Sequence, residues 1–320
     1  MDIKLTDKKV TRDGMGEALI EIFQSNPNAI ALSADIGAAF KLDVVKSICP
    51  DRYIECGICE QNMISVAAGM SYAGHEPICG SFAEFLPMRC LDQIRVSVCM
   101  NNANVIMIGG HAGLSYGGDG ETIQAFEDIS AIKSLPNLHI FVPSNANEAY
   151  EMTKLAFTIK APVYLRITRE IEQNFELENR TSLINNKIKS GEKIGIIGSG
   201  PFLYKSYLLA KMIDESTGIN PNVYNLSYIK PYPVEFINTI LSENKIIITL
   251  EDHQLSGGVG SIVTEVASEN NPKPVLRFGI NGRFGECGTR EEIDKELGVD
   301  LDTLLKRSLQ FIDKFLKFSN

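Results

Sequence analysis

Glu60 is the residue of this chain whose type and setting most directly suggest chemistry. It lies in the segment ECGICEQNM, after a glycine-bearing turn and just before an apolar run of small residues, Met63 to Gly69. That run predicts a helix packed closely against a flat surface. A carboxylate at the start of such a helix is poorly hydrated, so it could share a proton with a ring nitrogen. The alternative is a helix-terminal acid that interacts only with the helix dipole.

Short apolar runs alternate with longer stretches of helical periodicity in the first half of the chain. The candidate strands are Ala29–Leu32, Val105–Ile108, His139–Val142 and Val163–Ile167. The candidate helices are Gly14–Phe23, Gln61–Tyr72, Leu91–Met100 and Asn147–Thr158. This alternation predicts a parallel sheet with helices on both faces. Binding residues should then cluster in loops at the carboxyl ends of the strands.

The second half of the chain repeats this alternation after a polar connection. Residues 171–191 lack periodicity and are interpreted as a linker. A second α/β unit begins at Lys193, with the candidate strands Ile194–Ile197, Asn222–Leu226, Ile246–Leu250 and Val275–Phe278. The sequence therefore predicts an α/β protein of two doubly wound domains, the second smaller than the first.

The composition suits two globular domains with full cores. The chain has 320 residues, 44% of them hydrophobic, and a formal net charge of −9. This acidic balance argues against a nucleic-acid binder, which would carry a basic surface. No apolar run approaches the length of a membrane span, and the polar start MDIKLTDKKV does not resemble a signal peptide. We therefore expect a soluble cytoplasmic protein that binds neither nucleic acid nor membrane.

Several segments of the chain resemble one enzyme family. GICEQNM is similar to the GIAEQNM segment of transketolases, in the split form whose C-terminal half is a separate chain. The resemblance continues through SFAEFLPMRCLDQIR, HAGLSYGGDGETIQAFEDIS, LPNLHIFVPSNANE, APVYLRITRE, LEDHQLSGGVGS and RFGECG. It implies a mainly parallel-sheet pyrimidine-binding domain in residues 1–170, the linker at 171–191 and a smaller α/β transketolase C-terminal domain in residues 192–320.

The resemblance implies that the cofactor is thiamin diphosphate. Glu60 matches the glutamate that engages ring nitrogen N1′ of the aminopyrimidine and so helps the thiazolium to lose its carbon-2 proton. Phe82 matches the aromatic residue that stacks on the aminopyrimidine, and Phe85 lies one helical turn further on. The alternative for both phenylalanines is core packing. Asp35, in LSADIG, matches a buried aspartate near the cofactor.

The resemblance also implies a substrate site. Arg12, His111 and Arg169 fall at positions similar to the family's grip on the sugar phosphate, where guanidinium forks bind phosphate and a histidine adds a donor. Taken singly, each could instead be a solvated cation or a loop histidine. We expect His111, with Glu60, to be catalytic. Asp119 matches the acid that contacts a hydroxyl of the donor sugar.

Arg166 and the GDG sequence at residues 118–120 are two features that we do not assign to the site. Arg166 lies on the strand that precedes Arg169 and is expected to point to the opposite face. GDG followed by Asn145 imitates a motif for the diphosphate and its Mg²⁺, but the resemblance assigns this segment to the substrate loop. We therefore expect no metal ligand on this chain.

A separate N-terminal chain is then expected to carry the diphosphate and Mg²⁺ site. The expected assembly is a heterotetramer, a dimer of heterodimers with active sites at the interfaces. The expected reaction is transfer of a two-carbon ketol unit from a ketose or ketose phosphate to an aldose. Two alternatives stay open: an acyloin-forming enzyme resembling deoxyxylulose-phosphate synthase, with a keto acid donor, and a non-catalytic pairing subunit.

The substrate loop departs from the family pattern. Ile123 stands where the family usually has a histidine that binds the hydroxyl and carbonyl end of the donor, and isoleucine can neither donate nor accept a hydrogen bond. Ala39, Tyr116 and Gly118 also differ from the commoner residues. These departures favour a modified, deoxy or nucleotide-linked sugar as an alternative to an ordinary pentose phosphate.

Cys56 and Cys59 form a CxxC pair, which raises the alternatives of a redox or a metal site. No second pair stands at zinc-finger spacing, and nothing indicates secretion, so we expect reduced thiols. The family has small apolar residues around this position. We therefore interpret Cys59 as a buried cysteine that acts as a small hydrophobe.

Overall fold

The computed structural model describes residues 3–115, 117–177 and 182–316. The strands are β1 (Ile3–Val10), β2 (Ala29–Ser33), β3 (Tyr53–Glu55), β4 (Glu76–Phe82), β5 (Ile106–Gly110), β6 (His139–Phe141), β7 (Val163–Arg166), β8 (Ile171–Leu177), β9 (Lys187–Lys189), β10 (Lys193–Gly198), β11 (Asn222–Asn225), β12 (Tyr228–Lys230), β13 (Asn244–Gln254) and β14 (Val275–Ile280).

The helices lie between these strands. They are α1 (Thr11–Ser25), α2 (Asp43–Ile48), α3 (Glu60–Tyr72), α4 (Phe85–Arg89), α5 (Leu91–Gln93), α6 (Asp128–Ile132), α7 (Ala146–Thr158), α8 (Phe202–Thr217), α9 (Val234–Glu243), α10 (Val259–Asn270), α11 (Arg290–Glu296) and α12 (Leu301–Leu316). A π-helical turn, Ile94–Cys99, continues α5, and a 3₁₀ turn, Gly37–Phe40, follows β2.

The first domain is built on a sheet of seven strands in the order β12-β6-β7-β5-β4-β2-β3. All neighbours in it are parallel except β12, which pairs antiparallel with β6. Strands β2 and β5 are buried along their whole length, as the continuous apolar runs predict for a parallel sheet covered on both faces. The α/β fold class expected from the sequence is confirmed.

The second domain has a sheet of five strands in the order β14-β13-β10-β11-β9. Its pairs are parallel except for β9, which runs antiparallel to β11. Strand β9 falls inside residues 171–191, the segment interpreted as a linker. Strand β8 falls there too and pairs antiparallel with β1. The connection thus contributes a strand to each of two sheets.

Helices α1 and α7 cover one face of the first sheet and pack very closely against each other. A Cβ added at Gly14, in α1, would lie 1.8 Å from the carbonyl oxygen of Ala146, so only glycine permits this approach. The close packing fixes the start of α1, which carries Arg12, relative to the sheet. Among the described residues, no helix is long and apolar enough to cross a membrane.

Candidate active site

Five loops at the carboxyl edge of the first sheet carry the residues that the sequence singles out. The parallel strands β2, β3, β4, β5 and β7 all end at this edge. They are followed or terminated by Asp35, Glu60, Phe82, His111 and Arg169 respectively. This is the edge at which ligands bind in open α/β sheets.

Glu60 is the first residue of α3 and is only 6% exposed. Its Oε1 accepts a hydrogen bond from Ser81 Oγ at 3.3 Å and a second from an Arg89 guanidinium nitrogen at 3.0 Å. The described hydrogen bonds therefore use one carboxylate oxygen. A cavity of about 470 Å³ opens beside the carboxylate and is lined by Ile58, Cys59 and Arg89, among others.

Arg89 stacks on the aromatic side chain of Phe85, with its guanidinium carbon 3.8 Å from the ring centroid. One flat group with N–H donors thus contacts both an aromatic face and the Glu60 carboxylate. These are the two contacts that an aminopyrimidine ring requires. The residues in this corner therefore fit the pyrimidine half of thiamin diphosphate.

Phe82 connects this corner to the next loop. Its ring lies edge to face with Phe85 at 5.3 Å between centroids, with His111 at 4.9 Å and with Phe40 at 5.6 Å. Phe40 comes from the turn after β2 and also contacts the His111 ring, at 5.5 Å. An aromatic wall consequently runs from the acid at Glu60 to the imidazole of His111.

A pair of buried threonines brings the two candidate arginines to the same place. Thr11 Oγ1 donates to the carbonyl of Thr168 at 2.9 Å and accepts from the Thr168 backbone N–H at 3.0 Å. Because Arg12 and Arg169 each follow one of these threonines, their guanidinium groups start from adjacent backbone positions. Arg12 donates to the carbonyl of Ala39 at 3.1 Å, which holds its side chain over the loop after β2.

The chemistry of His111 is set by burial and by these arginines. Burial, helped by the neighbouring charges of Arg169 and Arg12, lowers the pKa of His111 to about 4. The imidazole is therefore neutral near pH 7. The effect of both cations on one ring shows that Arg12, His111 and Arg169 converge.

Other candidate residues lie apart from this cluster. Asp119 is exposed in the loop after β5, and its described hydrogen bond uses only its backbone carbonyl, which accepts from Thr122. Asp35, expected to be buried, is exposed, because its left-handed backbone (φ 66°) turns the residue outward while its N–H donates to Glu55. Cys59, expected to be buried, is also exposed, since no described part of this chain covers the start of α3. Tyr116 lies outside the described residues.

The substrate loop is packed against the second domain. The carbonyl of Gly117 accepts from the backbone N–H of Gly288, and the side chain of Gln124 donates to the carbonyl of Glu286, both at 3.1 Å. Ile123, next to Gln124, is half-buried. Asn145 caps α7 by accepting from the N–H of Glu148, so its side chain has a structural contact there.

Arg166 points away from the carboxyl-edge cluster and is fully buried. Its Nε donates to Asp128 at 2.8 Å. Sequence reasoning left Arg89, Phe40 and the threonine pair without a role. Arg89 could have been noticed from its spacing, four residues after Phe85, which places both side chains on one helix face. The threonine pair joins positions 157 residues apart, and no local pattern reports it.

Comparison with known proteins agrees with this architecture. Residues 7–173 match the family model of the transketolase pyrimidine binding domain, and residues 185–304 match that of the transketolase C-terminal domain. The structure superimposes on a solved split gene transketolase, described as an inactive beta4 tetramer, with a TM-score of 0.86 and 32% identity, covering 97% of this chain and 99% of that one.

Two curated relatives extend the comparison. One of the two chains of the apulose-4-phosphate transketolase of Phocaeicola vulgatus is 31% identical, over 95% of this chain and 97% of its own length. The 1-deoxy-D-xylulose-5-phosphate synthase of Caldanaerobacter subterraneus is 33% identical over 92% of this chain, which spans only 48% of that enzyme.

A parallel-sheet domain with an acid–aromatic corner at its carboxyl edge, followed by a second α/β domain, defines the pyrimidine-binding half of a thiamin-dependent enzyme. The chain belongs to the transketolase family. Within that family it corresponds to the C-terminal section of a split transketolase, as the sequence predicts. Family membership implies dependence on thiamin diphosphate, an N-terminal partner chain and an oligomer.

Proposed function

We propose that this chain is the C-terminal subunit of a two-chain transketolase that transfers a two-carbon ketol unit from a ketose phosphate to an aldose. One observation carries the proposal. A continuous wall at one sheet edge joins an acid at Glu60, through Phe85 and Phe82, to His111 beside two arginines. The wall offers a corner for a heteroaromatic ring at one end and a cationic pocket for phosphate at the other.

Thiamin diphosphate, when bound, supplies the nucleophilic carbon and the electron sink for cleavage next to a carbonyl. Glu60 would hold a proton shared with ring nitrogen N1′, and its burial keeps that proton from exchanging with bulk water. Phe82 and Phe85 would fix the plane of the ring. Asp35, exposed in this chain, would contribute to the cofactor site only through the partner-facing surface.

The phosphate end depends on charge and on one neutral donor. Arg12 and Arg169 would bind the sugar phosphate through their guanidinium forks. His111, neutral near pH 7, would donate a hydrogen bond without adding a third charge to the pocket. Asp119 would reach the donor hydroxyl from the substrate loop.

We assign the diphosphate and Mg²⁺ to the partner chain, and we propose a dimer of such heterodimers. The surface around Glu60 supports a covering partner. Ile58 is 72% exposed at the mouth of the cavity beside Glu60, and Cys59 next to it is exposed too. An exposed apolar residue at the entrance of a site suits burial by a second chain.

The donor sugar is proposed to differ from xylulose 5-phosphate at its hydroxyl end. Ile123 is half-buried in the substrate loop and offers an apolar surface in place of a hydrogen-bonding side chain. The Phocaeicola vulgatus relative acts, by its name, on a sugar phosphate other than xylulose 5-phosphate. Its similarity over nearly its whole length supports a modified donor for this chain.

A second candidate function is acyloin formation from a keto acid. The similarity to a 1-deoxy-D-xylulose-5-phosphate synthase favours it, as does the apolar Ile123. Pyruvate and a ketose phosphate as donors separate the two reactions, because they give different products with the same acceptor aldose.

The test is activity of the complex with an N-terminal partner chain. Both chains are co-expressed, saturated with thiamin diphosphate and Mg²⁺, and assayed with a panel of ketose phosphates and with pyruvate. We expect turnover with a ketose phosphate and a loss on the order of 10²-fold or more in Glu60→Gln, which keeps the shape of the side chain and removes the acid. Faster turnover with pyruvate would establish the second candidate. Near-normal turnover of Glu60→Gln would overturn the assignment of Glu60.

A further inference from the structure

The end of strand β13 leaves its own sheet and enters the first domain. Its parallel pairing with β10 ends at Leu250, and the strand continues to Gln254. The backbone N–H of Gln254 donates to the carbonyl of Phe126 at 2.9 Å, and the ring of His253 accepts from the N–H of Ser130 at 3.3 Å. Residues 252–254 therefore contact the substrate loop and the turn that follows it.

Asp252 makes the contact closest to the site. Both of its carboxylate oxygens lie 3.1 Å from the backbone nitrogen of Leu114, which donates to them. Leu114 is three residues after His111. A Cβ added at Gly113 (φ 63°) would lie 1.9 Å from Asp252 Oδ2, so the glycine lets the turn close onto the carboxylate.

Arg166 ties the far end of the loop to the same place. One of its guanidinium nitrogens donates at 2.9 Å both to the carbonyl of Ala125 and to the carbonyl of Asp252. The carbonyl of Ala125 also accepts from the N–H of Gly113, again at 2.9 Å. The two ends of the loop are thus fastened to one another and to Asp252, which is only 2% exposed.

We propose that Asp252 is a positioning residue for the substrate phosphate. The second domain supplies this carboxylate to fix the backbone turn from His111 to Leu114, and the turn in turn sets where the imidazole points. The inference rests on the proposed role of His111 at the sugar phosphate. It gives the C-terminal domain a part in substrate recognition, through a residue that does not touch the substrate.

Glu251, the neighbouring residue on β13, provides a matched control. It is as fully buried as Asp252, but its carboxylate accepts from the backbone N–H groups of Val259 and Gly260, at the start of α10 in its own domain. Glu251→Gln therefore disturbs a buried carboxylate on the same strand without touching the substrate loop.

The experiment compares Asp252→Ala, Asp252→Asn and Glu251→Gln in the full chain and in the complex with its partner. Hydrogen exchange is measured at the Leu114 amide, and kcat and KM are measured for a phosphorylated donor and for its dephosphorylated form. We expect Asp252→Ala to speed exchange at Leu114 and to raise KM for the phosphorylated donor by about 10- to 100-fold, the usual cost of a misplaced binding group. Asp252→Asn keeps one acceptor oxygen and should lie between wild type and Asp252→Ala.

The ratio of kcat/KM for the two donors distinguishes positioning from general destabilisation. Loss of folded protein lowers both values equally and leaves the ratio unchanged, whereas a displaced His111 lowers it. Glu251→Gln should change neither the ratio nor the exchange at Leu114. If Asp252→Ala does not fold, Asp252→Asn decides on the same readouts.

An unchanged ratio in a folded Asp252 variant whose Leu114 amide exchanges fast would overturn the inference and leave the proposed function standing. Unchanged exchange at Leu114 would also overturn it. A His111→Gln complex with a wild-type ratio would instead remove the proposed role of His111 itself, and that outcome is separate from both.

Discussion

The ion pair between Glu60 and Arg89 shows how one residue can be both held and available. The side chain of Glu60 is 7% exposed, whereas that of Arg89 is 48% exposed. An ion pair with one solvated partner contributes little free energy, so the guanidinium can leave at small cost. The stack of Arg89 on Phe85 therefore marks the ring-binding corner without sealing it.

Ile123 is the residue at which substrate choice is most directly testable. We predict poor activity on xylulose 5-phosphate, better activity on a donor or acceptor lacking the corresponding hydroxyl, and partial gain of xylulose 5-phosphate activity in Ile123→His. The reason is that an apolar site leaves the donor's hydroxyl without a partner, whereas a histidine restores one. The measurement is kcat/KM on xylulose 5-phosphate for both forms of the complex.

A wild-type value of about 10⁴ M⁻¹s⁻¹ or more, typical of enzymes on their own substrates, would contradict the altered donor and leave an ordinary split transketolase. Ile123→Val, which keeps the apolar surface, is the control and should not gain this activity.

His111 predicts a pH dependence of stability. Its pKa is about 4 in the folded chain, against an ordinary value of 6.5. The unfolded chain therefore binds the proton first, so the contribution of His111 is fully present above pH 6.5 and is lost as the pH falls toward 4. Between pH 7 and pH 5 this loss amounts to about 2 kcal/mol, at 1.36 kcal/mol per pH unit below 6.5.

Denaturant unfolding of wild type and His111→Gln at pH 7 and pH 5 measures this effect. We expect the free-energy difference between the two proteins to shift by that amount in favour of the glutamine form at pH 5. A difference that stays constant with pH would mean that His111 titrates normally. Other titrating groups cancel, because both proteins share them.

At the scale of elements, the Thr11–Thr168 pair joins the start of α1 to the end of β7. Thr11→Val keeps the shape of the side chain but leaves the buried N–H and carbonyl of Thr168 without this partner. We predict a loss of about 1–3 kcal/mol in the free energy of unfolding, the cost of unsatisfied buried polar groups. We also predict a higher KM for phosphorylated sugars, since Arg12 and Arg169 would no longer share a fixed origin.

Thr11→Ser, which keeps the hydroxyl, should retain both stability and KM. Denaturant unfolding of the chain and steady-state kinetics of the complex check the two effects. Loss of stability without any change in KM would show that the arginines are held by other contacts.

The strands that could be predicted from sequence are those with uninterrupted apolar runs. Strands β2, β7 and β10 were expected almost at their observed bounds. Strand β4 was not, because Pro77 and Gly80 interrupt its apolar pattern. The structure explains Gly80, since a Cβ there would lie 3.3 Å from the Cβ of Ile108 on the neighbouring strand. Strands β1 and β8 pair with each other over largely exposed residues, so they leave no pattern of buried positions.

The acid, aromatic and cationic site residues could be named from motifs, but their burial could not. Asp35 and Cys59 were expected inside the protein and lie at its surface, because motifs record what surrounds a residue in an assembled enzyme. The burial of one chain depends only on that chain. Asp252 could not be assigned a role either, since its partner Leu114 is 138 residues away.

At the scale of the whole molecule, the family, the split-chain interpretation and the enzyme class predicted from sequence are confirmed. The proposed division of the cofactor between two chains leads to a further prediction. The isolated chain should be inactive and should bind thiamin diphosphate weakly, because most of the charge recognition lies in the diphosphate and Mg²⁺ contacts of the partner.

Isothermal titration of the isolated chain with thiamin diphosphate and Mg²⁺, and of the complex as the control, measures this difference. Tight, stoichiometric binding by the isolated chain would contradict the division. The solved split gene transketolase that resembles this chain is described as inactive in its beta4 form, in line with the expectation.

Strand β12 has a consequence for how such a chain can be recombined. It lies after the linker in the sequence, yet Tyr228 and Lys230 pair with Phe141 and Ile140 at the edge of the first sheet. Lys230 also donates to the carbonyls of two residues in the first domain, Lys133 and Leu135. A chimera that joined residues 1–190 to the C-terminal half of another relative would therefore inherit a foreign edge strand. The two halves are not interchangeable cassettes, and exchange at the linker requires residues 228–230 to be carried over with the first half.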